Sequence, residues 1–316
     1  MPEAPFFSII IPNWNGARHL PTCLDALRRQ TYRAFEVILV DNGSTDESLA
    51  LVKRDYPEVR VLRLPRNRGL TGACNAGAAL ARGDVLVMLN NDTEADPGWL
   101  EALAATLRAH PDAGAVASKL LLFDRRDVLH SAGDFYGIDG IPGNRGVWQQ
   151  DQGQYDDQVE VFGACGGAAA YRRAAWEEAG GFDEGFFMYC EDVDLAWRLR
   201  LLGWRAVFAP AARVYHRLSA TGGGPIASFY TGRNTLWVLL KDVPGPLLRR
   251  YAGRMLRAQA RIAWEALRAW RGPAARARLR GQCAAILGLP RLLRQRRAVQ
   301  ASRRVGVEEL DKILTR

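Results

Sequence analysis

Residues Val85–Asp92 read VLVMLNND: five apolar residues suited to a buried strand end abruptly in two carboxamides and a carboxylate. A buried strand has no use for such groups unless something polar meets them. Hard divalent cations such as Mg2+ or Mn2+ want oxygen ligands and are commonly held by one or two carboxylates plus phosphate oxygens of a substrate. Asp92 is therefore a candidate metal ligand, and Asn90 and Asn91 are candidates for bonding a ribose. Asp96 precedes Pro97, the pairing of an N-cap with a proline at the first helical position, and is assigned to structure.

A second acidic cluster lies in YCEDVDLAWRLRLLGW, residues 189–204, which reads as a helix stopped by Gly203. Glu191, Asp192 and Asp194 crowd its first turn. Complementing the helix dipole needs fewer carboxylates than this, and like charges repel. After the aromatic stretch Phe186, Phe187 and Tyr189, one of them can be partly desolvated, with its pKa raised toward that of a general base. His216, in VYH, is one of only four histidines. Its spacing alone leaves open a packed residue or a second metal ligand.

Two further turns carry polar residues at strand ends. In DNGSTDES, Ser44 and Glu47 match the S-x-x-E capping box that opens a helix; Asp41 and Asn42 are left over, and a carboxylate there can accept from a nucleobase N–H or a ribose hydroxyl. The run RNRGLTGACNAG (66–77) is rich in Gly and Asn, as loops that admit a ligand to the backbone are. Its glycines at 69, 72 and 77 do not fit G-x-G-x-x-G, which argues against a dinucleotide dehydrogenase.

The elements that must position these residues follow from periodicity. FSIIIP, FEVILV, the run 59–64 and VLVML read as strands. Helical spacing in 20–30 and a small-residue segment at 71–81 lie between them. Such βαβα order predicts an α/β fold with a mostly parallel central sheet flanked by helices, its ligands at the carboxyl ends of the strands. Those ends carry Asn13 and Asn15, then Asp41 and Asn42, then Asn90–Asp92. Residues 124–160 lose periodicity, as a functional loop or hairpin insert does.

Charge divides the chain. From Lys241 onward there are 19 Lys/Arg against 5 Asp/Glu, whereas the preceding residues are net acidic, within an overall charge of +9. Five cysteines without C-x-x-C spacing suggest neither a disulfide framework nor a zinc site, and fit a reducing cytoplasm. The first residues lack a basic start and an apolar run, and no apolar run reaches the roughly 20 residues of a membrane span. Any membrane contact is thus expected to be peripheral.

Taken together, SIIIPNWN, VILVDNGSTD, NRGLTGACNAG, LNNDTEAD, GGFDEGFF, YCEDVDLAWR and VYH, in this order, resemble the inverting family-two glycosyltransferases of GT-A fold, most closely their bacterial rhamnosyltransferase-type branch. The resemblance covers about residues 8–234. It implies a Rossmann-like GT-A domain at 1–235 and a basic helical region at 236–316. Pro12, Asn13 and Asn15 would line the donor pocket, Asp41 would bind base or ribose, and Asn67 and Gly69 would contact the nucleotide. Asn90–Asp92 occupies the place of the family's D-x-D, with Asp92 on the metal and His216 as a further metal contact. The sequence departs from that pattern because the first acid is Asn90. Asp192 matches the catalytic base, with Glu191 as runner-up.

In the tail, a helix over 247–271 would set Leu248, Tyr251, Met255, Ile262, Ala266 and Trp270 on one side and a row of arginines opposite. That describes either an interfacial helix on an anionic membrane or a core-packed helix with a solvated Arg face. Nucleic acid is disfavoured, since no recognition module accompanies the charge. The expected function is inverting, metal-assisted transfer of a sugar, rhamnose being the sugar the resemblance points to, from a dTDP- or UDP-linked donor. The acceptor would be a lipid-linked or cell-envelope glycan at the inner face of the plasma membrane. A nucleotide-sugar or polyanion binding protein without turnover is the alternative. A processive polysaccharide synthase would carry Q-x-x-R-W and membrane helices, and neither appears in the sequence.

Overall fold

In the computed structural model, residues 5–218 and 223–316 are described. The first half alternates as its apolar runs predict: β1 (Phe7–Asn13), α1 (Leu20–Arg28), β2 (Phe35–Asp41), α2 (Ser48–Asp55), β3 (Arg60–Arg63), α3 (Gly69–Leu80) and β4 (Val85–Leu89). Then come β5 (Thr93–Ala95), α4 (Trp99–Ala109), β6 (Ala113–Leu122) and three short strands, β7 (Leu129–Ser131), β8 (Asp134–Tyr136) and β9 (Pro142–Asn144). The N-terminal part is completed by β10 (Glu160–Val161), β11 (Ala168–Arg172), α5 (Arg173–Ala179), α6 (Glu191–Leu202) and β12 (Arg205–His216). Helices α7 (Gly224–Lys241), α8 (Gly245–Arg268), α9 (Pro273–Leu287), α10 (Leu289–Ala301) and α11 (Val307–Lys312) follow.

The main sheet runs β10-β12-β6-β11-β4-β1-β2-β3. Parallel pairing holds from β4 through β1 and β2 to β3, and again between β6 and β12. Between those two blocks β11 lies antiparallel to both β4 and β6, so the sheet as a whole is mixed. The central strands β1, β2, β4, β6 and β11 are buried on both faces, as a sheet covered by helices requires, whereas the edge strand β3 is largely exposed. Helix α3 lies tight on one face because a Cβ at Gly77 would come within 2.5 Å of Ile10.

Parallel register brings the polar strand ends together. Asn13 sits beside Asp41, and β4, on the other flank of β1, carries Asn90–Asp92 to the same edge. Because β11 runs the opposite way, it starts at that edge, with Ala168 against Leu89. β12 ends there with His216 opposite Leu122, and β5 pairs Thr93 with His216. The aperiodic stretch after β6 is indeed a hairpin insert, β8 pairing with β9 over the same rim.

Three local expectations are corrected. Ser44 does not cap a helix: α2 begins at Ser48, whose N–H and hydroxyl are taken by Asp46. The Ser44 hydroxyl instead accepts from the Asn15 N–H, tying the turns after β1 and β2. In α8 the apolar stripe anticipated for a membrane turns partly inward, with Tyr251, Met255 and Ala266 buried against the body of the protein. Asp96 is structural but is not the N-cap expected: α4 starts at Trp99 after Gly98, and Asp96 accepts the Gly98 N–H at 3.1 Å in the turn before it.

The boundary anticipated after residue 235 falls within α7. Trp237, Val238 and Leu247 share a core with Tyr136, Phe162 and Trp197 of the N-terminal part. Among the described residues no helix is long and apolar enough to cross a membrane.

Candidate active site

A cavity of about 620 Å³ opens at the carboxyl edge of the sheet. Every predicted site residue lines it except Asn15 and Asp41. Asn15 is exposed at φ 51° and its side chain accepts the Thr45 N–H. Asp41 is fully buried behind the lining, where one carboxylate oxygen accepts from Ser44 N–H and the other has no hydrogen-bond partner among the described residues. Its neighbour Asn42 takes the place in the wall.

The floor near β1 is braced by amides. Asn91 donates to the Asn13 side chain at 2.7 Å, and Asn42 donates to Asn67 Oδ1 and to the Gly69 carbonyl, each at 3.0 Å. Gly69 stands at φ +76°, and a Cβ there would lie 2.4 Å from the Phe187 carbonyl. Only glycine fits this close approach without strain.

Asp92 and His216 meet because β5 and β12 pair where both strands end. Asp92 Oδ1 lies 3.2 Å from His216 Nε2 yet has no hydrogen-bond partner among the described residues. The other ring nitrogen, Nδ1, stands 3.1 Å from Nδ1 of His130, in β7, so one of the two must donate. Burial and the neighbouring His216 push His130 down to about 3, so it is neutral and can accept. The Asn90 amide approaches His216 Nε2 at 3.4 Å, where an NH2 group serves only as a donor. We therefore assign the proton to His216 Nδ1, which leaves a lone pair on Nε2 facing a carboxylate oxygen. Two acceptors so close, both buried, are a donor set suited to a cation.

On α6 the three carboxylates of the first turn separate into different environments. Asp194 is fully buried and paired with Arg198 and with Lys241 of α7. Burial alone would raise its pKa, but those two cations hold it below the usual carboxylate range. Glu191 is buried beside Asp192, and both burial and that charge push its pKa well up. Asp192 is partly open to the cavity. Burial raises its pKa, while the N–H groups of Gly166 and Val193, each at 2.8 Å, favour the charged form. Of the three it is best poised to exchange a proton with a ligand.

The loop that delivers α6 is strained: Phe187, Tyr189 and Cys190 all have φ between 62° and 67°. Its carbonyls are held from behind by Asn234 of α7, whose amide donates to Phe186, Met188 and Tyr189 at 3.1, 2.8 and 2.7 Å. Strain of this kind persists where surrounding structure fixes it, and it gathers at functional loops.

The insert adds residues that the sequence did not reveal. Asp134 lines the cavity and accepts from Asn144 at 2.8 Å and Ser131 at 3.3 Å. One ligand atom each from Asp134, Cys165 and Asp192 falls within 4.8 Å of the others. The Cys165 thiol, pushed well up by burial and by the adjacent carboxylates, keeps its proton and makes a poor partner for a hard cation. Burial, then the charge of Asp192, likewise pushes Asp134 well up. These two acids form a close pair in which Asp134 is the member pushed further up.

Residues 8–180 match the model of the family described as glycosyl transferase family 2. The chain belongs to that family. An N-acetylglucosaminyl-diphospho-decaprenol L-rhamnosyltransferase of Mycobacterium tuberculosis is 30% identical over 74% of this chain and 83% of its own length. The O-antigen biosynthesis protein RfbC of Myxococcus xanthus is 35% identical over 69% of this chain but only 18% of its own length. Among solved structures, the mannosyltransferase PcManGT from Pyrobaculum calidifontis, in complex with GDP-Man and Mn2+, superposes with a TM-score of 0.57 at 20% identity. The match covers 95% of this chain and 84% of that one. GalNAc-T7, solved with UDP, GalNAc and Mn2+, gives a TM-score of 0.62 at 20% identity over 76% of this chain and 48% of its own. This glycosyltransferase thus has the GT-A fold.

Proposed function

We propose that the enzyme moves a sugar, with inversion, from a nucleotide diphosphate donor to a hydroxyl of a lipid-linked glycan, with rhamnose as the sugar. The single observation carrying the reaction is the division of one cavity between two acidic centres. The buried pair Asp92–His216, short of a donor, stands at one, and the proton-accepting Asp192 at the other. The rhamnosyl transfer and the lipid diphosphate acceptor are supported by the activity for which the mycobacterial relative is named.

In this reading Pro12, Asn13 and Asn67 flank the nucleotide, with Gly69 giving it close approach to the backbone. Asn90 and Asn91 contact the ribose through neutral amides. Asp41 stays behind the wall, and its neighbour Asn42 takes the position facing the nucleotide. Asp92 and His216 would hold a divalent ion, which when bound supplies positive charge to the departing diphosphate. The Mn2+ named with two GT-A neighbours supports an ion of that class.

On the other side Asp192 accepts the proton of the acceptor hydroxyl as its oxygen forms a bond to the anomeric carbon. The anomeric bond to the diphosphate breaks in the same displacement. Its backbone hydrogen bonds aim the carboxylate, and protonated Glu191 beside it adds no competing charge. General base catalysis of this kind is worth about 10² to 10⁴ in rate. The test is Asp192→Asn. Transfer should fall by about that factor while metal-dependent nucleotide binding persists, and retained transfer would remove Asp192 from the role. A protein that binds nucleotide sugars without turnover would show binding in both forms and transfer in neither.

A further inference from the structure

Helix α8 carries two apolar faces. One is the inward face of Tyr251, Met255 and Ala266 already described. The other looks outward: Leu256, Trp264, Leu267 and Trp270 are 70%, 62%, 51% and 59% exposed. At about 100° per residue, α8 places Leu256, Trp264 and Leu267 within one sector, and Trp270, continuing just past its end, falls on the same side. Arg257, Arg261 and Arg268 form a row along one border of that stripe, also exposed. Single exposed apolar residues are ordinary, but a run of two tryptophans and two leucines beside a cationic row is the pattern of an interfacial helix.

The position of the stripe adds the second argument. Gly281 of α9 packs on the Phe229 carbonyl and the Arg233 N–H of α7, and Gly288, two turns further on, packs on Trp237. α9 therefore runs in the same direction as α7, and the turn between α8 and α9 sits at the end where α7 begins. That end of α7 supplies Ile226, Tyr230 and Thr231 to the wall of the cavity. Ile226 is itself 54% exposed. The outer stripe thus ends close to the cavity mouth.

We propose that the outer stripe of α8 seats on an anionic membrane surface, tryptophans and leucines among the acyl-chain boundary and arginines against lipid phosphates. So seated, the protein brings the mouth of its cavity to the headgroup layer. This rests on the reading that the acceptor is lipid-linked, and it names the surface that would present such an acceptor. The match between occupant and surface is chemical, since the last 76 residues carry a charge of +14. Tryptophan prefers the region where lipid meets water.

The full-length protein is tested by flotation with phosphatidylcholine vesicles, with and without phosphatidylglycerol. Wild type should float with the anionic vesicles and about tenfold less with the neutral ones, and the difference should shrink with added salt. A Trp264→Ser, Leu267→Ser, Trp270→Ser triple variant should lose flotation by about tenfold or more. Its thermal midpoint and its transfer to a water-soluble acceptor should be unchanged. Arg257→Gln, Arg261→Gln, Arg268→Gln should lose only the preference for anionic lipid. Failure of wild type to float, or flotation of the tryptophan–leucine variant at the wild-type level, overturns the proposal. So does a wild-type dimer that this variant converts to monomer, because the stripe would then face a second copy of the chain. Loss of transfer to every acceptor, soluble or lipid-linked, with flotation intact would instead strike at the reaction assigned to the cavity.

Discussion

Asp92 Oδ1 and His216 Nε2 stand 3.2 Å apart at the end of two paired strands, with no hydrogen bond joining them. His130 fixes this arrangement from behind through its contact with His216 Nδ1. Removing an outer-shell partner of this kind typically costs 10- to 100-fold in metal affinity, so His130→Ala should weaken Mn2+-dependent nucleotide binding by about that amount. Calorimetric titration with Mn2+ and a nucleoside diphosphate reads the change without requiring turnover. An unchanged affinity would mean that His216 is oriented by something else.

The rate should fall on acidification as Asp192 gains a proton, and because burial raises its pKa this acid limb should lie above the usual carboxylate range. Burial and the charge of Asp192 push Asp134 further up still. Asp134→Asn, close in shape to the neutral acid, should therefore leave the limb where it is. A limb moved to lower pH would show instead that Asp134 is ionised in the resting enzyme. The pH profile of kcat/KM for both forms decides between them.

Glu191 makes a prediction about stability. Its folded pKa is raised, so the native state keeps a proton that the unfolded chain has already released. Stability from this group is greatest below the unfolded pKa and declines as pH rises toward the folded one. Glu191→Gln removes that decline. Its stability relative to wild type should grow as pH rises from the ordinary glutamate range toward the raised folded pKa, by up to about 1.4 kcal/mol per pH unit. Urea unfolding across that range measures it, and a parallel pH dependence in the two proteins would count against a neutral Glu191.

The amide of Asn234 serves three carbonyls of the strained loop before α6. Asn234→Ala strands those acceptors in a buried place and should cost about 1–3 kcal/mol. It should also raise KM for the donor, since Phe187 and Tyr189 line the cavity. Denaturant unfolding together with donor kinetics would separate the two effects.

Much of this was legible in the residues because strand ends announce themselves. An apolar run that stops in Asn90–Asp92 can be read without knowing what lies across from it, and so can the crowding of carboxylates before Leu195. His130 and Asp134 escaped because their significance depends on pairing between distant segments. Asp134 meets Asp192 only after its strand has paired with β9 and with Gly163. The sole hint was a histidine and an aspartate in one short aperiodic run, HSAGD. Ser44 misled because a capping pattern says nothing of a competing N–H from another turn. α8 shows the same limit: periodicity marked an apolar stripe, but only packing tells which of two stripes is already covered.

Lys241 has a consequence for how such a protein can be divided. Its ammonium is buried between Asp194 of α6 and Asp183, although it belongs to the last turn of α7. Breaking a buried ion pair by deleting one member is worth about 3–5 kcal/mol, a large part of the stability of an ordinary domain. A chain shortened to end at residue 235 would strip Asp183 of Lys241 and Arg291 and leave Asp194 with Arg198 alone, close to Asp192. The arginine-rich tail is therefore no appendage to be trimmed or grafted elsewhere; the two halves should unfold in a single transition and be inherited together.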